Sequence, residues 1–140
     1  MIGFMLRLLI TSLEGLRMRI LLADDNPEVR SALRLLLEQE PIPAMVMEVS
    51  DGQGLIAHLG ENCPTVVLLD WELPGITGSD ILTMLRSHCP KMKVIALSSK
   101  FEARRESLAA GADAFISKSE PSELIRSALW NIVPHILNHE

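Results

Sequence analysis

The chain has 140 residues, enough for one domain with a real core and too few for two ordinary ones. With 48% hydrophobic and 22% charged residues, it is a folded globular protein and not a disordered one. Its net charge of −5 and the lack of any long Lys/Arg cluster argue against direct contact with nucleic acid, whose phosphates need a basic face.

Residues 1–17 (MIGFMLRLLITSLEGLR) read as an extension ahead of the domain proper, which spans 18–140. Gly3 and Arg7 interrupt the apolar run, which is shorter than the roughly 18–20 residues of a membrane span. The basic start and small-residue cleavage site of a signal peptide are missing. No stable membrane insertion is expected. The segment reads as a tail from an upstream start codon or, alternatively, as an amphipathic helix that packs on the domain or touches a partner or membrane.

From Met18 onward, short apolar runs alternate with helical segments. Arg19–Ala23 reads as a buried parallel strand that stops at Asp24-Asp25. Asn26-Pro27 then supplies a helix cap and first turn, and Val29, Leu33, Leu36 and Leu37 follow at helical spacing. Pro41 and Pro43 close that helix before a second strand, Ala44–Val49. A short helix through Leu55, Ile56 and Leu59 ends at Gly60 and Pro64. Thr65–Leu69 is the most apolar strand, hence central, and it stops at Asp70. The loop WELPGITG leads to a third helix through Ile81, Leu82 and Leu85. Lys93–Leu97 is a fourth strand ending at Ser98, and a helix near Ala103–Ala110 ends at Gly111. Ala114–Ser117 is a fifth strand stopping at Lys118. A last helix carries Leu124, Ala128, Leu129, Ile132 and Val133, with Trp130 off its apolar stripe. His135 and His139 follow Pro134 at i,i+4 spacing but sit near a frayed end, which disfavours a metal site.

Cys63 and Cys89 each precede a proline and match no zinc spacing; two reduced thiols of a cytoplasmic protein are the expectation. Gly52, Gly54 and Gly60 do not make a dinucleotide fingerprint.

Five β-α units in series predict an α/β fold, a doubly wound parallel sheet with helices on both faces. Ligands bind such sheets beyond the carboxyl ends of the strands. Those ends deliver Asp24, Asp25, Asp70, Ser98 and Lys118. Carboxylates crowded at one rim repel each other by about 4 kcal/mol per pair at 4 Å and an effective dielectric near 20. They must bind protons or a cation, and an all-oxygen set suits Mg²⁺. Mg²⁺ shares its sphere readily with phosphate, which points to phosphoryl transfer, a reaction of positioning and charge neutralisation. Asp70 stands alone on the central strand and is the best nucleophile, while Asp24 and Asp25 resemble a metal-holding pair. Lys118 and the Ser98 hydroxyl would then neutralise and hold the phosphoryl oxygens. Taken singly, Asp24-Asp25 reads more commonly as a capping cluster before Pro27, and Lys118 as a surface lysine; the ordered set carries the reading.

LLADDNPEVR, LLDWELPGITG, VIALSS and GADAFISK resemble, in order, the four signatures of bacterial response-regulator receiver domains, over roughly residues 18–137. The resemblance implies a flavodoxin-like, doubly wound five-stranded parallel sheet of order 2-1-3-4-5. It also implies phosphoryl uptake on Asp70 from a sensor histidine kinase or phosphotransfer protein, with Mg²⁺ held by Asp24, Asp25, Asp70 and the backbone carbonyl of Glu72. It assigns Ser98 and Phe115 as switch residues on a face of the fourth helix, fifth strand and fifth helix, which would meet a downstream protein or a second copy. A stand-alone receiver of this kind is not an enzyme beyond its own phosphorylation and dephosphorylation. Three features depart from the common pattern: a short span from Ser98 to Lys118, Ser119 in place of a proline, and Phe115 without a phenol. Glu72 and Lys100 flank the site and are expected to pair across it. Two rivals are a Mg²⁺-dependent phosphohydrolase, weakened by Glu72 where that class has a second Asp, and a pseudo-receiver that binds partners without phosphorylation.

Overall fold

The computed structural model describes residues 2–6, 18–39, 44–60, 62–121, 123–128 and 131. The expectations for Pro41 and Pro43, and for Leu129, Trp130, Ile132, Val133, Pro134, His135 and His139, fall outside these residues. Five parallel strands form one sheet in the order β2-β1-β3-β4-β5, with β1 at Met18–Ala23, β2 at Ala44–Val49, β3 at Val66–Asp70, β4 at Lys93–Ser98 and β5 at Ala114–Ser117. The helices between them are α1 (Pro27–Glu38), α2 (Gly52–Leu59), α3 (Gly78–His88) and α4 (Ala103–Ala109), with α5 over residues 123–128. The flavodoxin-like order predicted from the resemblance is the order observed.

Alternate residues of each strand point to opposite faces, and the core divides accordingly. Leu21, Ala23, Val67, Leu69, Val94 and Ala96 pack under α2, α3 and α4 against Leu55, Leu59, Ile81, Leu82, Leu85 and Ala103. Ile20, Leu22, Val66, Leu68, Ile95 and Leu97 pack against Leu33 and Leu37 of α1 and Ile125 of α5. Continuous apolar strands are what burial on both faces requires; β3 is buried at every position, while β2, at the edge, is only half-buried. Asn26 caps α1 by accepting the Glu28 and Val29 N–H groups, with Pro27 in the first turn.

Two expectations need correction. The third and fourth strands extend one residue further than their apolar runs, taking in Asp70 and Ser98, because the β3–β4 ladder continues to the Asp70–Leu97 pair and the β4–β5 ladder to Ser98–Ser117. The cysteines are not free: Cys63 and Cys89 form a disulfide, with Cα atoms 5.7 Å apart. Cys63 lies just ahead of β3 and Cys89 just ahead of β4, and the two strands are neighbours, so their starts are brought within bridging distance. The bridge lies at the amino end of the sheet, opposite the strand ends that carry the carboxylates.

Residues 2–6 are helical, and Ile2, Phe4, Met5 and Leu6 are exposed. Among the described residues no helix is long and apolar enough to cross a membrane.

Candidate functional site

β1 and β3 are neighbours, so their carboxyl ends place Asp24, Asp25 and Asp70 side by side, with one oxygen of each within 4.8 Å of the others. Asp24 and Asp70 are buried and Asp25 is exposed. Asp24 Oδ1 accepts the Asn26 N–H at 2.9 Å, and its carbonyl accepts Arg30 Nη1 at 2.7 Å. Its Oδ2 is buried and accepts no directed hydrogen bond among the described residues; the ion pair to Lys118 Nζ at 2.8 Å compensates it. Asp70 Oδ1 accepts the Glu72 N–H at 3.0 Å and lies 3.4 Å from the same Nζ. Lys118 reaches both carboxylates because its main chain continues the β4–β5 ladder, donating to the Ser98 carbonyl.

One ammonium does not balance three carboxylates. Burial pushes the Asp70 carboxyl above its ordinary value; the Glu72 N–H pulls it down, repulsion from Asp24 raises it further, and Lys118 opposes that rise without cancelling it. Burial alone would lower the Lys118 ammonium, but its contacts with Asp24 and Asp70 outweigh burial and raise it. The oxygen donors, the surplus negative charge and the poorly satisfied Asp24 Oδ2 together fit a hard divalent cation.

Ser98 is fully buried at the end of β4. Its hydroxyl donates to Glu72 Oε1 at 2.6 Å and accepts the Lys100 N–H at 3.0 Å. The expected Glu72–Lys100 ion pair is absent among the described residues; the buried hydroxyl, which needs an acceptor, takes Glu72 Oε1, while the Lys100 side chain is exposed. Phe115 is half-buried on β5, with Arg104 of α4 over its ring, 5.9 Å from the centroid. Trp71 is buried beside Asp70 and donates from Nε1 to Glu106 at 3.3 Å. Gly78 is required there, because a Cβ would come within 2.6 Å of the indole. Trp71, Glu72, Ile76, Lys100 and Glu106 line an open cleft of about 400 Å³ between the loop after Asp70 and the start of α4.

The family model of the response regulator receiver domain matches residues 20–129. The chain belongs to that family. The receiver is 31% identical to the transcriptional activator protein ExaE of Pseudomonas putida over 118 residues, 83% of this chain and 55% of that protein. It is 32% identical to the nitrate/nitrite response regulator protein NarL of Escherichia coli over 111 residues, 77% of this chain and 51% of that one. The receiver thus spans about half the length of these relatives. Among solved structures, a two-component response regulator of the LuxR family from Aurantimonas superposes with a TM-score of 0.77 at 26% identity, covering 85% of this chain and 86% of that chain. A receiver domain protein from Clostridium thermocellum gives a TM-score of 0.78 at 24% identity, covering 88% and 99%.

Two participants escaped the sequence reading. Arg30 holds the Asp24 carbonyl while its Nε pairs with Glu48 of β2 at 3.0 Å, fixing the strand end that carries the carboxylate. Arg30 and Arg34 at i,i+4 on α1 are the signal, since both reach Glu48. The other is the Glu72 side chain, read toward Lys100 when its partner is Ser98.

Proposed function

We propose that this receiver takes a phosphoryl group onto Asp70 from the phosphohistidine of a sensor histidine kinase or phosphotransfer protein, and that the resulting aspartyl phosphate changes its binding to a downstream partner. The observation that carries the reading is Asp70 itself: a buried carboxylate beside two others, with Lys118 3.4 Å away. Oδ1 is occupied by Glu72 N–H and Lys118, whereas Oδ2 makes no hydrogen bond among the described residues and is the oxygen left to attack phosphorus. The new O–P bond forms as the P–N bond breaks, and the imidazole leaves.

Asp24, Asp25, Asp70 and the Glu72 carbonyl would hold Mg²⁺, which supplies positive charge to the transferring oxygens. Lys118 shifts from its carboxylate partners to the phosphoryl group, and Ser98 donates its hydroxyl proton to it. Phe115 follows the movement at Ser98 through ring packing, because it has no hydroxyl to exchange. The chemistry is confined to the protein's own phosphorylation and dephosphorylation. Residues 1–17 are read as an extension ahead of the receiver, and the protein as cytoplasmic. Output through a face of α4, β5 and α5, to a partner or a second copy, is part of the same reading. ExaE is a transcriptional activator about twice as long, so any DNA binding would come from chain beyond the receiver and not from its acidic surface.

The reading is tested by intact mass after incubation with Mg²⁺ and acetyl phosphate. One phosphoryl adduct is expected on the wild type and none on Asp70→Asn. An adduct on both would move the acceptor elsewhere. None on either would favour a phosphorylation-independent binding module.

A further inference from the structure

We propose that the Glu72 carboxylate is a latch on Ser98, holding the switch hydroxyl in its resting arrangement until a phosphoryl group on Asp70 competes for the same proton. The inference rests on the phospho-acceptor reading and adds a positioning residue to it.

The hydroxyl of Ser98 has one proton to give, and in the resting structure it goes to Glu72 Oε1 at 2.6 Å, a charge-assisted bond. The acceptor side of the same oxygen is taken by the Lys100 N–H. Ser98 is fully buried, so water does not offer an alternative partner. For Ser98 to donate to a phosphoryl oxygen, its bond to Glu72 has to break. Residue 72 is placed to sense the event from both sides: its main-chain N–H holds Asp70 Oδ1, and its side chain holds Ser98. A phosphoryl group on Asp70 brings three charged oxygens into competition for one proton. Glu72 is exposed and can release into water, so leaving costs little, whereas a buried Ser98 must find another acceptor.

Release has somewhere to go. The loop from Ser99 to Glu102 is lightly held beyond this contact: Phe101 is 94% exposed, and Glu102 offers α4 no side-chain cap. α4 itself buries only Ala103 and Ser107. The Glu72–Ser98–Lys100 chain therefore ties the start of this weakly packed segment to the acceptor loop, and opening it frees the segment.

The test is a double-mutant cycle on the full chain with Mg²⁺ and beryllofluoride, a phosphoryl mimic, using wild type, Glu72→Ala, Glu72→Gln, Ser98→Ala and Glu72→Ala/Ser98→Ala. Losing a charge-assisted bond that opposes the active arrangement should tighten beryllofluoride binding roughly tenfold in Glu72→Ala. Glu72→Gln, which loses the charge but keeps an acceptor oxygen, should fall between it and wild type. The gain should vanish in the Ser98→Ala background, because no proton remains to be latched. A second readout leaves the variant free of metal and mimic: in Mg²⁺-free Glu72→Ala, the Lys100 amide resonance should move toward the position that wild type takes with Mg²⁺ and beryllofluoride. A tenfold gain that persists without Ser98 would mean that Glu72 acts by simple charge repulsion and would overturn the latch, as would an unmoved Lys100 amide. Wild type that fails to bind beryllofluoride at all would instead bring down the phospho-acceptor reading, and the latch with it.

Discussion

Replacing Asp70 by asparagine should make the metal-free protein more stable. The oxygens of Asp24, Asp25 and Asp70 lie within 4.8 Å of one another, so at an effective dielectric near 20 each neighbour repels Asp70 by about 3.5 kcal/mol. Lys118, 3.4 Å away, returns about 5 kcal/mol on the same scale. Solvent screens the exposed Asp25, so these charge pairs nearly cancel, and the burial of Asp70 decides the sign. Asparagine removes the charge while its Oδ1 still accepts the Glu72 N–H. The sign follows from linkage. A carboxyl whose folded pKa is raised favours the folded state while protonated, and that contribution is lost as pH rises from the ordinary carboxylate value through the raised one. Above that window wild type should be the weaker protein, and Asp70→Asn should lack the corresponding loss. Urea unfolding at pH 7 in EDTA should give the variant about 1–2 kcal/mol more stability, the scale of relieving a buried charge. Saturating Mg²⁺ should shrink or reverse the gap, because wild type keeps the third carboxylate as a ligand. A variant less stable than wild type in EDTA would refute the charge argument.

Three further outcomes follow from the same geometry. Lys118→Ala should bind Mg²⁺ several-fold more tightly, since the ammonium that competes for Asp24 and Asp70 is gone, while phosphoryl uptake from acetyl phosphate slows; Trp71 emission and intact mass report the two effects. Gly78→Ala drives a methyl group into the Trp71 ring and should cost about 1–3 kcal/mol in urea unfolding, with a shift in Trp71 emission. Reducing the Cys63–Cys89 bridge, with the two cysteines 26 positions apart, should lower stability by about 3.5 kcal/mol and leave phosphoryl uptake unchanged, because the bridge sits at the far end of the sheet.

Most of the architecture was legible because this sheet is buried on both faces. Runs such as Ile20–Ala23 and Val94–Leu97 announce parallel strands by being apolar throughout, and a polar residue marks where each one stops. The carboxylate cluster was legible for the same reason, since parallel strands bring their carboxyl ends to one rim. What stayed hidden depends on pairing across the fold. Opposite charge suggested Lys100 as the partner of Glu72, but an exposed lysine is content in water, whereas a buried serine hydroxyl is not. Cys63 and Cys89 lack any local motif, and only the adjacency of β3 and β4 joins them. Arg30 carries no signal of its own in the sequence, because its partner Glu48 is brought to it by the edge strand.

The central claim is an acyl phosphate on Asp70, and the most direct test is chemical trapping. After incubation with Mg²⁺ and acetyl phosphate, borohydride should reduce the phosphorylated carboxyl to the alcohol of homoserine. Peptide sequencing by mass should find that change at residue 70 of wild type and nowhere in Asp70→Asn. Homoserine at Asp24 or Asp25, or an untouched Asp70 under conditions that phosphorylate a control receiver, would contradict the account.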